Sequence, residues 1–258
     1  MIFLQLGGAA LFIGLIASMI GVGGGIFMVP LLSLSHLVGT MQEAVGTSLA
    51  AVIFTSLSST LAYRAKRVVE LKLGLMLMPT TILGAWAGAY LTRFISSGGL
   101  SVAFGLLLLY PAVMMLRGRP PREVARLFRW SASRDGYNLI GVALLGLGAG
   151  LASGFFGIGG GIVMVPAMAI FLQLEIISAV ATSLFVMGPS ALIGALQHFF
   201  QGNLHPELAL PLIVGIIIGA QLGPQLSTRI PQVRLRQLFG LALLYSVVNM
   251  ILSGIRAI

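Results

Sequence analysis

The chain has no cysteine among its 258 residues, which excludes disulfides, thiolate metal sites and cysteine-based relay chemistry. Charged residues are also scarce, at 8% of the chain, whereas water-soluble domains carry about a quarter. Hydrophobic residues make up 58%, and the mean hydropathy is +1.05. This composition excludes a water-soluble globule and predicts an all-α polytopic protein of the cell membrane, largely embedded in the lipid bilayer.

Acidic residues are the scarcest charge, and all six lie at the ends of apolar stretches or in the connections between them: Glu43, Glu70, Glu123, Asp135, Glu175 and Glu207. No carboxylate therefore marks a mid-membrane relay for protons or cations. The gap is consistent with a negatively charged substrate.

The net charge of +9 could indicate a nucleic-acid partner. However, the 15 lysines and arginines cluster in short connections between apolar stretches. This is the positive-inside pattern of membrane proteins, so nucleic-acid binding is excluded.

Eight apolar stretches can be identified, at residues 2–35, 44–63, 71–94, 100–116, 137–172, 176–200, 206–226 and 235–255. The first and fifth are too long for one simple crossing, because a helix of about 34 residues would reach ~50 Å against a hydrocarbon core of ~30 Å. We therefore expect each of these two stretches to be broken.

A glycine motif supplies the break. GVGGGIFMVP at residues 21–30 returns as GIGGGIVMVP at residues 157–166. Consecutive glycines are poor helix formers and leave backbone N–H groups bare, and the residues after them can restart as helices whose N-termini suit an anion. We therefore predict substrate contacts at Gly23, Gly24, Gly25, Gly159, Gly160 and Gly161. The alternative is that these glycines only allow tight helix packing in lipid.

The repetition extends beyond the glycines, since AVGTSL at 44–49 returns as AVATSL at 179–184. It predicts one repeat at 1–116 and another at 137–258, joined by a basic linker at 117–136. If the long stretches are re-entrant hairpins, the halves are inverted, and 13 basic residues lie on one side of the membrane and 2 on the other. With eight crossings the halves are parallel and the division is 11 to 4. The charge rule favours inversion, with broken helices meeting near the midplane, a cytoplasmic linker and both termini outside.

The doubled motif, each copy followed by A-V-x-T-S-L, resembles the sulfite exporter TauE/SafE family of membrane transporters. The resemblance covers nearly the whole chain and implies transport of a sulfur-containing anion such as sulfite or an organosulfonate. One departure is that Arg64-Ala65-Lys66-Arg67 in the first half stands where the second half has Phe199-Phe200-Gln201-Gly202. A strictly symmetric site is therefore in doubt.

Four hydroxyl residues stand beside the glycine motifs in both copies: Thr47, Ser48, Thr182 and Ser183. We predict that they contact the substrate, although hydroxyls in membrane helices also bond back to their own backbone.

Three further polar residues lie within apolar stretches. His198 is a candidate for proton coupling, against the commoner role of a packed histidine. Gln197 and Gln221 are secondary polar candidates for the site, or hold helices together. His198 and His205 have no third ligand near in sequence, so no metal and no cofactor is predicted.

The sequence thus predicts a secondary transporter, an exporter of a small anion by alternating access. A passive anion channel is the alternative, and an intramembrane enzyme is disfavoured because the hydroxyls have no nearby base or metal set. The oligomeric state stays open, with a homodimer as one option.

Overall fold

The computed structural model describes residues 2–117, 138–172, 174–226 and 232–257. Within these ranges the chain forms ten α-helices, one short 3-10 helix (Thr92–Phe94) and no β-strand, which confirms the predicted fold class. The α-helices are α1 (Ile2–Ile20), α2 (Gly25–Leu34), α3 (Met41–Arg64), α4 (Leu71–Leu91), α5 (Ser97–Arg117), α6 (Leu139–Phe156), α7 (Gly161–Phe171), α8 (Ile176–Phe200), α9 (Pro206–Leu226) and α10 (Gln232–Ala257). Residues 118–136 of the predicted linker lie outside the described residues.

The outer surface of the molecule suits a lipid environment. By length and composition, six of the described helices can cross a membrane, namely α1, α3, α4, α6, α8 and α9. Large apolar side chains such as Leu4, Phe200 and Leu210 are exposed along their outer faces. The chain is therefore a multi-pass membrane protein, as its composition predicts.

Both long apolar stretches are broken at the glycine motif. In the first, α1 ends at Ile20 and α2 begins at Gly25. In the second, α6 ends at Phe156 and α7 begins at Gly161. The two predicted breaks are thus confirmed, and each separates a long helix from a short one.

The centre of the molecule is a contact between α3 and α8, which run antiparallel. Near the start of α3, Leu49 faces Gly194 late in α8. Further along α3, the Ser56 hydroxyl donates to the carbonyl of Leu184, early in α8. Helices α3 and α8 carry the matching AVGTSL and AVATSL segments, so corresponding elements point in opposite directions.

Helices α5 and α10 repeat this relationship. The Ser101 hydroxyl, near the start of α5, donates to the Met250 carbonyl late in α10 at 3.0 Å. At the other end, Gly240 lies against Leu116. A second pair of corresponding helices is therefore also antiparallel.

The first helix of each half packs in parallel along the fourth helix of the other half. For α1 and α9, a Cβ placed on Gly7 would lie 3.6 Å from the Pro211 carbonyl oxygen, and one on Gly14 would lie 2.8 Å from that of Ile216. These glycines let the two backbones approach closely, as small residues do between membrane helices.

The pair α6 and α4 has the same geometry. A Cβ on Gly146 would lie 3.0 Å from the Leu77 carbonyl oxygen, and one on Gly154 would lie 2.8 Å from the Ala89 nitrogen. Both numbers rise together along the two helices, so α6 and α4 are parallel. The two halves are therefore interlocked, each supplying a helix that the other packs against.

Contacts with α9 show that α1 and α3 point in the same direction. The Ser58 hydroxyl donates to the Ile217 carbonyl at 3.0 Å, and further along the Lys66 ammonium donates to the Pro224 carbonyl at 2.6 Å. Helix α3 is thus parallel to α9, and α1 is parallel to α9 as well. Because α1 and α3 point the same way, α2 must carry the chain back between them, as a re-entrant hairpin requires.

Candidate functional site

Two tight turns of the glycine motif form the centre of the candidate site. In the first turn, Gly21, Gly23 and Gly24 have φ values of +82°, +77° and +88°. In the second turn the corresponding values for residues 157, 159 and 160 are +71°, +78° and +78°. Side-chain-bearing L residues rarely adopt this region, so the backbone path itself accounts for the glycines.

The two turns lie against each other. A Cβ on Gly25 would clash with the Gly157 carbonyl, and one on Gly161 would clash with the Gly21 carbonyl. Both turns also contact Met187 of α8. The predicted meeting of the two broken helices is therefore present, with α3 and α8 on its flanks.

The short helices after the turns begin without a side-chain cap. Their N-cap residues, Gly24 and Gly160, are left-handed, and neither helix has a capping hydrogen bond from a side chain. The first N–H groups of a helix have no partner within it, and the N-terminus is equivalent to roughly half a positive charge. Both N-termini are buried in the protein interior. The arrangement presents two partial positive charges without a fixed cation.

Two of the four predicted hydroxyls lie at these turns, where they bridge the halves. Ser48 Oγ lies 2.9 Å from the Gly157 carbonyl and 2.8 Å from its own helix at Val45. Ser183 Oγ lies 3.0 Å from the Gly21 carbonyl and 2.8 Å from that of Val180. Each serine thus donates to the glycine turn of the other half, and its single proton is already engaged in this conformation.

The other two hydroxyls face away from the glycine turns. Thr47 Oγ1 accepts the backbone N–H of His205 at 3.1 Å, and Thr182 Oγ1 accepts that of Glu70 at 3.0 Å. His205 precedes α9 and Glu70 precedes α4. The threonines therefore anchor two connections at opposite ends of the molecule, and the structure does not bring them to the turns.

His198 is fully buried one turn of helix from the second glycine turn. Its Nε2 lies 3.1 Å from the Gly154 carbonyl, while no partner is found for its Nδ1 among the described residues. The Tyr63 hydroxyl makes the same contact in the first half, with the Ser18 carbonyl at 3.0 Å. The offset between the two sequence copies aligns His198 with Tyr63, so this pairing could have been found from the sequence.

The two glutamines lie apart from the turns. Gln221 Nε2 donates to the Ser58 carbonyl at 3.1 Å and so holds α9 against α3. Gln197 is half-buried on α8, beside His198. Sequence reasoning missed Met187, whose thioether lies between the two turns, because an apolar residue in an apolar stretch carries no signal.

A charged cluster lies at the end of the molecule where α3 begins. His205 Nε2 lies 2.9 Å from Glu43, and its Nδ1 lies 3.1 Å from Glu207. The hydrogen bond to Glu43 raises the pKa of His205 above its usual 6.5, Glu207 adds to the effect, and partial burial opposes it. In the described part of the chain, no group of three or more histidine or acidic side chains is placed to hold a metal ion.

Comparison with known proteins identifies the family. The model of the sulfite exporter TauE/SafE family matches residues 6–250. A probable membrane transporter protein of Bacillus subtilis, YunE, is 32% identical over 94% of both chains. A probable membrane transporter protein of Xylella fastidiosa is 32% identical over 89% of this chain and 87% of its own length. One from Methanocaldococcus jannaschii is 27% identical over 87% of this chain and 86% of its own. With uncapped helix N-termini meeting at its centre and nearly its whole length matched, the chain belongs to the sulfite exporter TauE/SafE family of membrane transporters.

Proposed function

We propose that the protein exports a small anion, sulfite or an organosulfonate, by alternating access, and binds it between the two glycine turns. The observation that carries the proposal is the pair of buried, uncapped helix N-termini that begin at Gly25 and Gly161. Burial removes hydration from the first N–H groups of these helices, and no side chain caps them. A bound anion would satisfy those groups.

The electrostatics around the turns favour a single negative charge. Two N-termini contribute about half a positive charge each, which together matches a monoanion. The acidic residues that the structure describes lie near helix ends: Glu43, Glu70, Glu175 and Glu207. Binding by dipoles and neutral donors holds an anion less tightly than a buried arginine would, which suits a carrier that must release its substrate.

The interlocked geometry supports two inverted halves. Halves related by an axis along the membrane normal would place corresponding helices parallel, whereas α3 and α8, and likewise α5 and α10, run antiparallel. An axis in the membrane plane produces that relationship, as in inverted-repeat transporters. Exchanging the conformations of the two halves would then open the glycine turns to one side and close them to the other.

Charge supports an orientation in the membrane. We define the basic end as the end where α3 finishes and α4 starts, which carries Arg64, Lys66, Arg67 and Lys72. The opposite end carries Arg93 and Arg256. By the positive-inside rule the basic end, and with it the linker, faces the cytoplasm and both termini lie outside.

His198 is the candidate for coupling transport to protons. It stands next to the second glycine turn, and its counterpart in the first half is Tyr63, a side chain that cannot carry a positive charge. A proton taken up by the ring would add a positive charge near a bound anion. We propose that this asymmetry gives the cycle its proton dependence.

The test is counterflow in proteoliposomes. Vesicles that contain the purified protein and unlabelled sulfite should take up external radiolabelled sulfite faster than empty vesicles, with saturation. A carrier shows this acceleration, whereas a passive channel does not. Uptake without counterflow or saturation, or a preference for cations, would contradict the proposal.

A further inference from the structure

A large groove opens at the basic end and runs inward along α3. Its volume is about 850 Å³, and it lies between the second half of α3, the start of α4 and the middle of α8. Most of its wall is apolar, including Ile53, Leu57, Leu61 and Leu192. Leu57, Leu61 and Leu192 are also exposed on the outer surface, at 58%, 55% and 45%. The groove therefore opens sideways, toward the lipid.

The mouth of the groove carries two cations. Arg64 and Arg67 line it, and neither guanidinium has a hydrogen-bond or ion-pair partner in the part of the chain that the structure describes. The neighbouring Lys66 differs, since its ammonium donates to the Pro224 carbonyl at 2.6 Å. Two free guanidinium groups at the rim of an apolar groove suit a ligand with a charged head and an apolar tail.

The backbone of Arg67 strengthens this interpretation. Arg67 has a φ of +54°, a left-handed conformation that glycine accommodates and other residues rarely adopt. The aligned position in the second half is Gly202, with a φ of +75°. The same turn therefore occurs in both halves, and the first half places an arginine where glycine fits. An arginine in a turn that glycine fits better is consistent with a role for its side chain.

The depth of the groove fits one leaflet. From Ile53 to Arg64 the helix rises about 16 Å, roughly half of a hydrocarbon core of ~30 Å. A free inorganic anion would find few polar partners along this wall, chiefly the Thr60 hydroxyl, and would lose its hydration there. An acyl chain would instead bury apolar surface against the leucines.

We propose that this groove binds one anionic phospholipid, with its phosphate between Arg64 and Arg67 and an acyl chain along Leu57, Leu61 and Leu192. The inference does not depend on which substrate is transported. The second half lacks this pair of arginines, because the residues that align with Arg64 to Arg67 are Phe199 to Gly202. Lipid binding would therefore act on one half only and bias the exchange between the two conformations.

The experiment is a lipid titration of delipidated protein, followed by native mass spectrometry. Phosphatidylglycerol is compared with phosphatidylcholine of the same acyl chains. The substitution Arg67→Gly should raise the dissociation constant of the first bound phosphatidylglycerol by about fivefold or more, which is the contribution of one basic residue near an anionic lipid. The affinity for phosphatidylcholine should stay unchanged. Arg67→Gly also relieves the left-handed backbone, so in detergent alone it should unfold at or above the wild-type temperature.

The matched control is Lys72→Gln, a basic residue exposed at the same end and outside the groove wall. In this variant the dissociation constant of the first bound phosphatidylglycerol should stay within about twofold of wild type. A cation outside the groove acts on the lipid only through long-range, screened electrostatics. Equal weakening by both variants would overturn the proposal, because it would reduce the effect to general surface charge.

A second arm separates the lipid from the transported anion. Sulfite and glycerol phosphate, which carry charge without acyl chains, are added to the phosphatidylglycerol-bound protein. The proposal requires that neither displaces the lipid at equal concentration. Displacement by sulfite, together with loss of sulfite binding in Arg67→Gly, would make the groove an entrance for the substrate and overturn the lipid site.

Discussion

Replacing Ser183→Ala removes a hydroxyl that joins the second half of the protein to the first glycine turn. The hydroxyl lies 3.0 Å from the Gly21 carbonyl and 2.8 Å from that of Val180. The Val180 carbonyl keeps its partner within α8, whereas the Gly21 carbonyl loses this donor in a buried place. A buried polar group left without a partner costs about 1–3 kcal/mol. We expect the free energy of unfolding to fall by that amount.

Ser190→Ala is the matched control. Ser190 is also fully buried in α8, but its hydroxyl donates only to the Met187 carbonyl in its own helix, at 2.9 Å. Both substitutions remove the same atoms from the same helix and change helix propensity equally. The difference between them therefore isolates the bond between the halves. Unfolding by SDS, followed by far-ultraviolet circular dichroism, should show Ser183→Ala less stable than Ser190→Ala by about 1–3 kcal/mol.

Sulfite binding by calorimetry decides what the hydroxyl does. If the hydroxyl proton is donated to the Gly21 carbonyl, Ser183→Ala should lose more free energy of unfolding than free energy of sulfite binding. The reasoning is refuted if Ser183→Ala is as stable as Ser190→Ala while the dissociation constant rises about two- to tenfold, the effect of losing one neutral hydrogen bond to a ligand. The hydroxyl would then contact the anion directly, as the sequence predicts. Ser48→Ala should behave like Ser183→Ala, because it bridges to Gly157 in the same way.

Three further outcomes follow from the fold. The cysteine-free background allows single-cysteine labelling: Ala65→Cys and Glu175→Cys should react from the same, cytoplasmic face, whereas parallel halves would put them on opposite faces. Gly160→Leu should abolish sulfite counterflow, because φ there is +78° and the space around the glycine is filled. The control Gly148→Leu should transport normally, since nothing lies within 4 Å of a Cβ at that position. Normal counterflow by a folded Gly160→Leu protein would mean that this glycine serves only helix packing. His205 should stabilise the protein most below pH 6.5 and lose that effect as the pH rises through its raised pKa. The melting temperatures of wild type and His205→Gln should therefore converge at high pH. A difference in melting temperature that stays constant with pH would contradict the ion pairs.

The helices of the fold were predictable because the lipid bilayer limits the secondary structures that a membrane-spanning segment can adopt. Apolar stretches of about 20 residues must be helices, since backbone groups have no other partner in a bilayer. The glycine breaks were predictable for a related reason: Gly21 to Gly25 would be expensive in a continuous helix and occur twice. The repeat predicted that the broken helices meet, but the sequence could not show the bonds that join the two turns, because these depend on α3 and α8 placing Ser48 and Ser183 across the molecule.

The candidate site was harder to predict, because adjacent residues on a helix point in different directions. Thr47 and Ser48 look equivalent in the sequence, yet the serine reaches a glycine turn and the threonine holds the His205 connection. Their contact with the substrate stays a prediction. The groove at Arg64 and Arg67 was visible in the sequence only as a departure from the repeat, and its apolar wall comes from three helices.

The interlocking of the halves has a consequence for biogenesis. Helix α1 is synthesised well before the helix that it packs along, α9, which begins only at residue 206. Gly7 and Gly14 must therefore face lipid, or a chaperone, until most of the chain has been synthesised. Neither half can complete its own packing, so the chain should mature in a single late step. Two separately expressed halves should then assemble into one transporter, and each alone should be degraded.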